Sequence, residues 1–335
     1  MKKKYVTAIS VFFVVAPILA TIICLGIGRY HLSVSETIEA IFNVITGVEV
    51  DETVYSVLFK VRLPRIILAL FVGAGLAVAG TSFQSLFSNP LATPDTLGVA
   101  TGASFGAVLA LLLSNNSVVV QLSALAFGLL SLLITCMVSK MNGKSSIIMV
   151  VLSGMVVSSI FQALVSLVKY TADTEEKLPA ITYWLMGSMS RATVSSLLIG
   201  VPFILIGILI LFILRWRLNI LSLNEDEAKS LGINVKQLRL MVMIASTMVT
   251  ASCVSMCGQV GWVGLLVPHA ARMIYGSDNK KLIPAGIGIG ATFMIVIDTI
   301  ARAATAAEIP VSILTALIGA PFFVILLRKT GGAKL

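Results

Sequence analysis

Ten runs of apolar residues, most of them about twenty residues long, constrain the fold of this chain more than any other feature of its sequence. The runs cover residues 5–27, 66–86, 97–113, 118–138, 147–168, 195–214, 240–257, 260–274, 282–300 and 311–327. A run of this length is what an α-helix needs to cross the hydrocarbon core of a bilayer. A membrane β-barrel would instead show short strands of alternating polarity. The sequence therefore predicts an all-α integral membrane protein with about ten transmembrane helices.

The composition leaves little room for a separate soluble domain. Hydrophobic residues make up 58% of the 335 residues and charged residues only 12%, which is about half the charged share of a soluble domain. We therefore predict a single transmembrane domain, residues 1–335. The N-terminal lysines followed by apolar residues imitate a signal peptide, but the apolar part is too long and lacks a clear cleavage site. We interpret it as the first span.

The basic residues predict the orientation of the chain in the membrane. With both termini in the cytoplasm, about sixteen of the 24 Lys and Arg residues fall on the inner side, as the positive-inside rule requires. The segment at residues 29–60 is then an acidic outer loop. The same bias accounts for the net charge of +9 without a nucleic-acid partner. We expect a multi-pass protein of the cell membrane, surrounded by the lipid bilayer.

A polar stretch at residues 218–233 (LNILSLNEDEAKSLGI) interrupts the apolar runs and is predicted to be cytoplasmic. Asn224 and Glu227 have the spacing of a capping box, three acids load the first helical turn, and Gly232 supplies a C-cap. A helix this short does not hold itself in water. The stretch is therefore either displayed for a partner or a solvated connector between two spans, and these residues alone leave both interpretations open.

Three arginines break the charge bias at the outer face. Arg62 and Arg65 lie in VRLPR, and Arg302 lies in DTIARAA. Such arginines could bind acidic groups of a partner or an anionic solute, or they could anchor to lipid head groups. Asp298 precedes Arg302 by four residues, so the two can pair along one helix face. An acid within a span is also a candidate for proton coupling.

Other motifs favour structural roles. The glycines of VGAGLAVAG (residues 72–80) have no preceding strand and no following Lys-Ser/Thr, so they indicate close helix packing rather than a nucleotide site. The four cysteines lie in apolar runs and the two histidines have no neighbouring ligand, so we predict no metal site. Residues 181–190 are too short to span and indicate a re-entrant or interfacial helix.

Four blocks of sequence, in order over nearly the whole chain, resemble the FecCD-type permeases of ABC importers for iron–siderophore, haem and vitamin B12. They are RLPRIILALFVGAGLAVAGTSFQSLFSNPLATPDTLGVATGAS at 62–104, the polar stretch at 218–233, GWVGLLVPHAARMIYGSDNKKLIP at 261–284, and DTIARAATAAEIP followed by LTALIGAPFFVILLR at 298–328. Trp262 and Ser312 depart locally from the family pattern.

The resemblance implies roles for particular residues. The polar stretch would be the family's coupling helices, which dock in a groove of a cytoplasmic ATPase. Its contact residues would be Glu225, Asp226, Glu227, Ala228, Lys229, Leu231 and Gly232. Docking of an extracytoplasmic substrate-binding protein would fall to Arg62, Arg65 and Arg302. The cytoplasmic gate would lie at Asn142, Gly143, Lys144, Ser145 and Ser146, and the pathway would be lined by span five with Tyr183, Trp184, Met186 and Met189.

The sequence contains no Walker A motif, so a separate ATPase carrying ATP and magnesium, or an ion gradient, must supply energy for active transport. We expect a permease subunit that is not an enzyme, binds no cofactor itself and works with a second permease subunit.

By the resemblance its cargo is a metal chelate, with ferric siderophore first and cobalamin, haem or a molybdate-type oxyanion as alternatives. A proton-driven secondary transporter acting through Asp298 is the alternative of a different class. An intramembrane enzyme would need a paired acid or a nucleophile–base set, which the spans lack.

Overall fold

The computed structural model describes residues 2–114, 116–140, 147–223, 225–230 and 232–330, and every regular element in these ranges is a helix. In chain order the α-helices are α1 Lys2–Gly26, α2 Val34–Thr46, α3 Glu52–Tyr55, α4 Leu63–Leu86, α5 Val99–Leu113, α6 Ser117–Val138, α7 Ile147–Thr171, α8 Lys177–Leu185, α9 Val194–Leu214, α10 Glu225–Ser230, α11 Val235–Cys257, α12 Val263–Tyr275, α13 Asn279–Ala303 and α14 Val311–Thr330. A π-helical segment, Ser56–Arg62, joins α3 to α4. The ten predicted spans correspond to α1, α4 to α7, α9 and α11 to α14, which confirms the predicted fold class.

The helix that continues through α3, the π-helical segment and α4 lies at the centre of the bundle. Of its most apolar window, 83% is buried inside the chain, against only 28% of the matching window in α7. Four other helices, α9, α11, α12 and α13, pack around α4. The end of α4 that begins at Leu63 and the end at Leu86 are about 35 Å apart, the length of a helix of 24 residues.

Facing glycines bring α4 and α13 together. A Cβ atom on Gly73 would overlap the carbonyl oxygen of Gly290, and a Cβ on Gly290 would overlap that of Gly73. In a membrane, where the hydrophobic effect does not drive helices together, small residues allow the backbones to approach closely. The structure thus confirms that the glycines of residues 72–80 serve helix packing.

Two of the spanning helices, α5 and α12, are short. They contain 15 and 13 residues, about 20 to 23 Å of helix, which is less than the thickness of a bilayer core. Irregular segments at residues 87–98 and 258–262 precede them. Pro94 from the first segment packs against Gly264 at the start of α12, and Gln259 Nε2 donates to Ser104 Oγ of α5 at 2.8 Å. Neighbouring helices therefore cover much of this irregular backbone, as the interior of a membrane protein requires.

The prediction of an acidic loop at residues 29–60 was wrong, because this segment contains α2 and α3. The Oγ atom of Ser33 accepts from the N–H of Glu36, and Glu36 Oε2 accepts from the N–H of Ser33 at 2.7 Å, which forms a capping box. Hydrogen bonding from Ser33, first through its backbone N–H, lowers the pKa of the Glu36 carboxyl. Helix α2 is amphipathic, and its apolar residues Ile38, Phe42 and Ile45 are exposed. The acidic residues of the segment made this pattern hard to recognise in the sequence.

The semi-apolar segment at residues 181–190 begins inside α8 and continues as an irregular turn. The N–H of Ser188 donates to the carbonyl of Cys257 at 2.8 Å, and the N–H of Val311 donates to the carbonyl of Gly187 at 2.9 Å. The segment is therefore a short helix followed by a turn that joins the end of α11 to the start of α14.

Candidate functional site

Two buried arginines close the C-terminal end of α1. Arg62 Nη1 donates to the carbonyls of Leu25 at 2.5 Å and Gly26 at 3.0 Å, and its Nη2 donates to the carbonyl of Tyr30. Arg302 Nη2 donates to the carbonyl of Cys24 at 2.5 Å. The last carbonyls of a helix have no partner within the helix, and cations are favoured there. The arginines therefore join α1 to α4 and α13.

The third arginine, Arg65, lies in a buried ion-pair network. Its Nε atom lies 2.8 Å from Asp298 Oδ1, and its Nη1 atom lies 2.7 Å from Glu308 Oε1. Asp298 also faces Arg302 Nε at 3.9 Å, which confirms the predicted pair four residues apart on α13. With its side chain only 1% exposed, Asp298 is held between two guanidinium groups. The sequence did not reveal the Arg65 contacts, because their partners are 233 and 243 residues away.

The arginines do not lie on an open outer surface, as their predicted docking role would have them. Arg62, Arg65 and Arg302 are 3%, 4% and 7% exposed. Their positive charge is taken up by helix carbonyls and carboxylates of the same chain, which explains their presence outside the positive-inside pattern without a lipid anchor. The docking role stays a prediction, and it requires these groups to exchange internal partners for external ones.

The polar stretch at residues 218–233 is divided into a buried anchor and an exposed helix. Leu218 and Leu221, in a 3-10 turn formed by Arg217–Ser222, are 0% and 4% exposed. The short helix α10 follows, and its Ala228 is only 1% exposed. Beyond it, Gly232 has φ +73°, and the N–H of Ile233 reaches back to the carbonyl of Ala228 at 3.4 Å. This hydrogen bond across a left-handed residue confirms the predicted C-cap.

The loop between α12 and α13 fixes the buried anchor. Asn219 Nδ2 donates to Asp278 Oδ1 at 2.9 Å, and the N–H of Asn279 donates to Asn219 Oδ1 at 2.8 Å. The hydrogen bond from Asn219 is the main cause of a lowered pKa of the Asp278 carboxyl. The start of the polar stretch is therefore tied to α13, the helix that carries Asp298 at its far end.

The side chains of Glu225, Asp226 and Lys229, three of the predicted contact residues, lie outside the described part of the structure. Glu227 and Ser230 are exposed, whereas Ala228 points into the apolar core and is unavailable to a partner. Asn224 and Leu231 lie outside the described residues, so the capping box predicted at Asn224 cannot be compared with the structure. The predicted gate residues, 142–146, also lie outside them.

A cavity of about 290 Å³ lies between the two short helices. Polar side chains from the irregular segments and from α5, α7 and α11 line it: Thr93, Asp95, Thr101, Gln162, Thr250 and Gln259. The side chain of Asp95 is exposed to the cavity, where water can solvate its charge. Sequence reasoning missed this cavity, because polar residues that are far apart in sequence form it.

Helix α7 presents polar groups on its exposed side. Ser159, Gln162 and Ser166 are exposed and follow one another at helical spacings of three and four residues. The role of span five in lining a pathway stays a prediction. By contrast, Trp184 and Met189 are 7% and 0% exposed. They pack in apolar clusters, so neither faces an open path, in contrast to the prediction. Tyr183 and Met186 are half-buried.

Residues 16–329 match the model of the FecCD transport family. The chain belongs to the FecCD transport family. It is an ABC importer permease of this family, a membrane protein whose relatives are transport subunits rather than enzymes. The match covers the second half of the first predicted span, the other nine spans in full, the polar stretch and the arginine network.

Known relatives of this FecCD permease cover nearly its whole length. The molybdate import system permease protein MolB of Haemophilus influenzae is 44% identical over 313 residues, which are 93% of each chain. A protein of Helicobacter pylori described as an iron chelatin transport system permease is 35% identical over 322 residues, 95% of this chain and 97% of the relative. A solved structure described as an inward-facing conformation of a metal-chelate type ABC transporter is 41% identical, with a TM-score of 0.88, and covers 96% of this chain and 99% of that one.

Proposed function

We propose that this FecCD permease imports a metal chelate, with a ferric siderophore as the first candidate. The chelate would arrive on an extracytoplasmic binding protein and be driven into the cytoplasm by ATP hydrolysis in a separate ATPase subunit. One observation carries the choice of cargo. The cavity between α5 and α12 is lined by neutral polar groups and one carboxylate, with no basic side chain among its described lining residues.

A molybdate-type oxyanion is the second candidate, because the Haemophilus influenzae relative at 44% identity is a molybdate permease. Uptake distinguishes the two candidates. Vesicles that contain the permease with its ATPase and binding protein are supplied with ⁵⁵Fe-labelled siderophores or with ⁹⁹Mo-molybdate. We expect ATP-dependent uptake of iron and no uptake of molybdate. The reverse result would replace the chelate by the oxyanion.

Helix α10 is the part of the chain that we propose receives energy from the ATPase. Its acids, Glu225, Asp226 and Glu227, would contact the ATPase, while the buried anchor at Leu218 and Leu221 would pass the movement to α4 and α13. This proposal places α10 and both termini on the cytoplasmic side. The buried anchor supports it, because a mere connector needs no such fixed attachment.

Replacement of Glu225, Asp226 and Glu227 by alanine tests this coupling. We expect uptake to fall at least tenfold while the ATPase continues to hydrolyse ATP, because the helix then lacks its charged contacts. The matched control replaces the exposed Glu175 and Glu176 by alanine, which removes similar charge between α7 and α8. Normal uptake in the triple variant, or an equal loss in the control, would count against the coupling role.

The binding protein would dock at the end of the bundle that carries the arginine network. We propose that Arg65 exchanges Glu308 for a carboxylate of the binding protein, since Glu308 is 27% exposed and its Oε2 atom has no hydrogen-bond partner. The substitution Glu308→Gln weakens the internal pair and should therefore tighten docking, most strongly at low salt. Unchanged or weaker docking would leave Arg65 with a purely structural role.

Two copies of the permease, or one copy and a paralogue, would enclose the pathway. The polar stripe on α7 supports this arrangement, because the exposed side-chain amide of Gln162 would be unfavourable against lipid. A second permease subunit facing this stripe would place it beside water.

A further inference from the structure

The one carboxylate in the cavity between α5 and α12 belongs to Asp95, and its lack of a partner in the described part of the chain is a feature that the choice of cargo did not use. Asp95 lies in the 3-10 turn Pro94–Leu97 that leads into α5. Within the described part of the chain its carboxylate makes no hydrogen bond and no ion pair. Other aspartates in the structure are engaged: Asp51, Asp173, Asp278 and Asp298 all accept hydrogen bonds. Asp95 is exposed to the cavity, so its carboxylate is free to meet a solute that enters this space.

The remaining groups around the cavity cannot neutralise this charge. Thr93, Thr101, Gln162, Thr250 and Gln259 are uncharged, and Asp95 alone carries a charge among the described lining residues. Two of these groups already donate hydrogen bonds within the chain: Gln259 donates to Ser104, and Thr250 donates to the carbonyl of Ser246. The cavity is therefore a polar space with one uncompensated negative charge.

The size of the cavity limits what it can hold. Its volume of about 290 Å³ is at the lower end of the range for sites that bind a drug-sized ligand. It can receive one edge of a metal complex, or a small ion, rather than a whole chelate. A carboxylate at this position attracts a cationic group and repels a dianion such as molybdate.

We propose that the cavity is a solute-contact site in the permease, and that Asp95 sets its preference for cationic and neutral metal complexes over oxyanions. This inference deepens the proposed function and rests on it for the presence of a solute path here. Thr93, Thr101, Gln162 and Gln259 would supply neutral hydrogen bonds to the passing solute, and Asp95 would supply the charge discrimination.

Thiol labelling measures this charge preference without any cargo, ATPase or binding protein, so its result does not depend on whether the proposed cargo is right. The variant Gln162→Cys in the full-length permease, in lipid nanodiscs at pH 8, reports on the cavity. Its native cysteines are replaced by alanine. Labelling rates are measured with cationic MTSET and anionic MTSES, the two charged methanethiosulfonates, and are normalised to their rates with a free thiol. We expect the ratio of the cationic to the anionic labelling rate to be roughly tenfold higher with Asp95 than with Asp95→Asn. This is the combined effect of attracting one reagent and repelling the other when the carboxylate and the reagent charge are about 6 Å apart in water.

Two further variants make the result specific. Asp95→Glu keeps the charge and should keep the high ratio. A reporter at Tyr170, on the same helix but outside the cavity lining and 87% exposed, should show no dependence on Asp95. Equal ratios with Asp95 and Asp95→Asn would overturn the proposal. So would the failure of both reagents to reach Gln162→Cys, because the cavity would then be closed to solutes.

Discussion

Arg62 stabilises the end of α1 from a position 36 residues further along the chain. Its planar guanidinium group reaches three carbonyls at once, those of Leu25, Gly26 and Tyr30. Replacement by alanine would leave these carbonyls without their donor in a buried place. We expect Arg62→Ala to lower the free energy of unfolding by about 3 kcal/mol, as for loss of buried hydrogen bonds to a charged group. Thermal unfolding of the purified permease in detergent measures the loss.

Two other variants test whether the geometry of Arg62 matters as well as its charge. Arg62→Lys keeps the positive charge, but an ammonium cannot reproduce the planar fork, so it should recover only part of the stability. Arg191→Ala removes an exposed arginine and should change stability by less than about 0.5 kcal/mol. If Arg62→Ala unfolds at the same temperature as the parent, the three carbonyls do not depend on this side chain.

At the scale of single residues, the sequence could predict local pairs but not distant ones. The pair of Asp298 and Arg302 follows from helix periodicity alone. The pair of Arg65 and Asp298 depends on the packing of α4 against α13, which no local pattern encodes. For the same reason Arg62, Arg65 and Arg302, which were placed at the outer face from the sequence, are buried in the structure. The free carboxylate of Asp95 was equally hidden, because only the fold shows which acids lack a partner.

At the scale of the helices, the contact between α4 and α13 is the most sensitive to added volume. Gly73 and Gly290 leave no room for a side chain at the crossing. Gly73→Ala should therefore lower the free energy of unfolding by at least about 2 kcal/mol, because the backbones must separate. Gly286→Ala is the matched control on α13, since its nearest neighbours would be 3.8 Å from the new Cβ atom. Thermal unfolding in detergent should separate the two variants; similar melting temperatures would mean that the crossing can relax.

The positions of the spanning helices could be predicted from the sequence better than the irregular segments that interrupt them. Long apolar runs predict spanning helices because a bilayer leaves few other ways to satisfy the backbone. No such constraint applies to α2, which has apolar and polar faces and begins at the Ser33 capping box. It also did not indicate that α5 and α12 would be short. Their irregular leading segments are stabilised by contacts with other helices, such as Pro94 with Gly264, and such contacts are properties of the packed bundle.

At the scale of the whole molecule, the exposed surface divides into apolar and polar regions. Helix α9 exposes large apolar residues, among them Leu198 at 72% and Ile213 at 59%. Helix α7 exposes Ser159, Gln162 and Ser166 between apolar residues. Both helices are long and apolar, so composition alone could not tell which one meets lipid. The packed structure separates them, because polar side chains within a span avoid hydrocarbon.

This division predicts where water reaches the membrane-spanning part of the permease. In a background without native cysteines, Ser159→Cys on α7 and Leu198→Cys on α9 are compared in lipid nanodiscs with a polar, membrane-impermeant maleimide. We expect Ser159→Cys to react at least tenfold faster, because thiolate formation, which the reaction needs, is suppressed in hydrocarbon but not beside water. A third variant, Leu209→Cys, lies on the same apolar side of α9 as Leu198→Cys and should be equally slow. If α7 and α9 react at the same slow rate, the polar stripe does not face water, and the placement of the pathway along α7 would have to be abandoned.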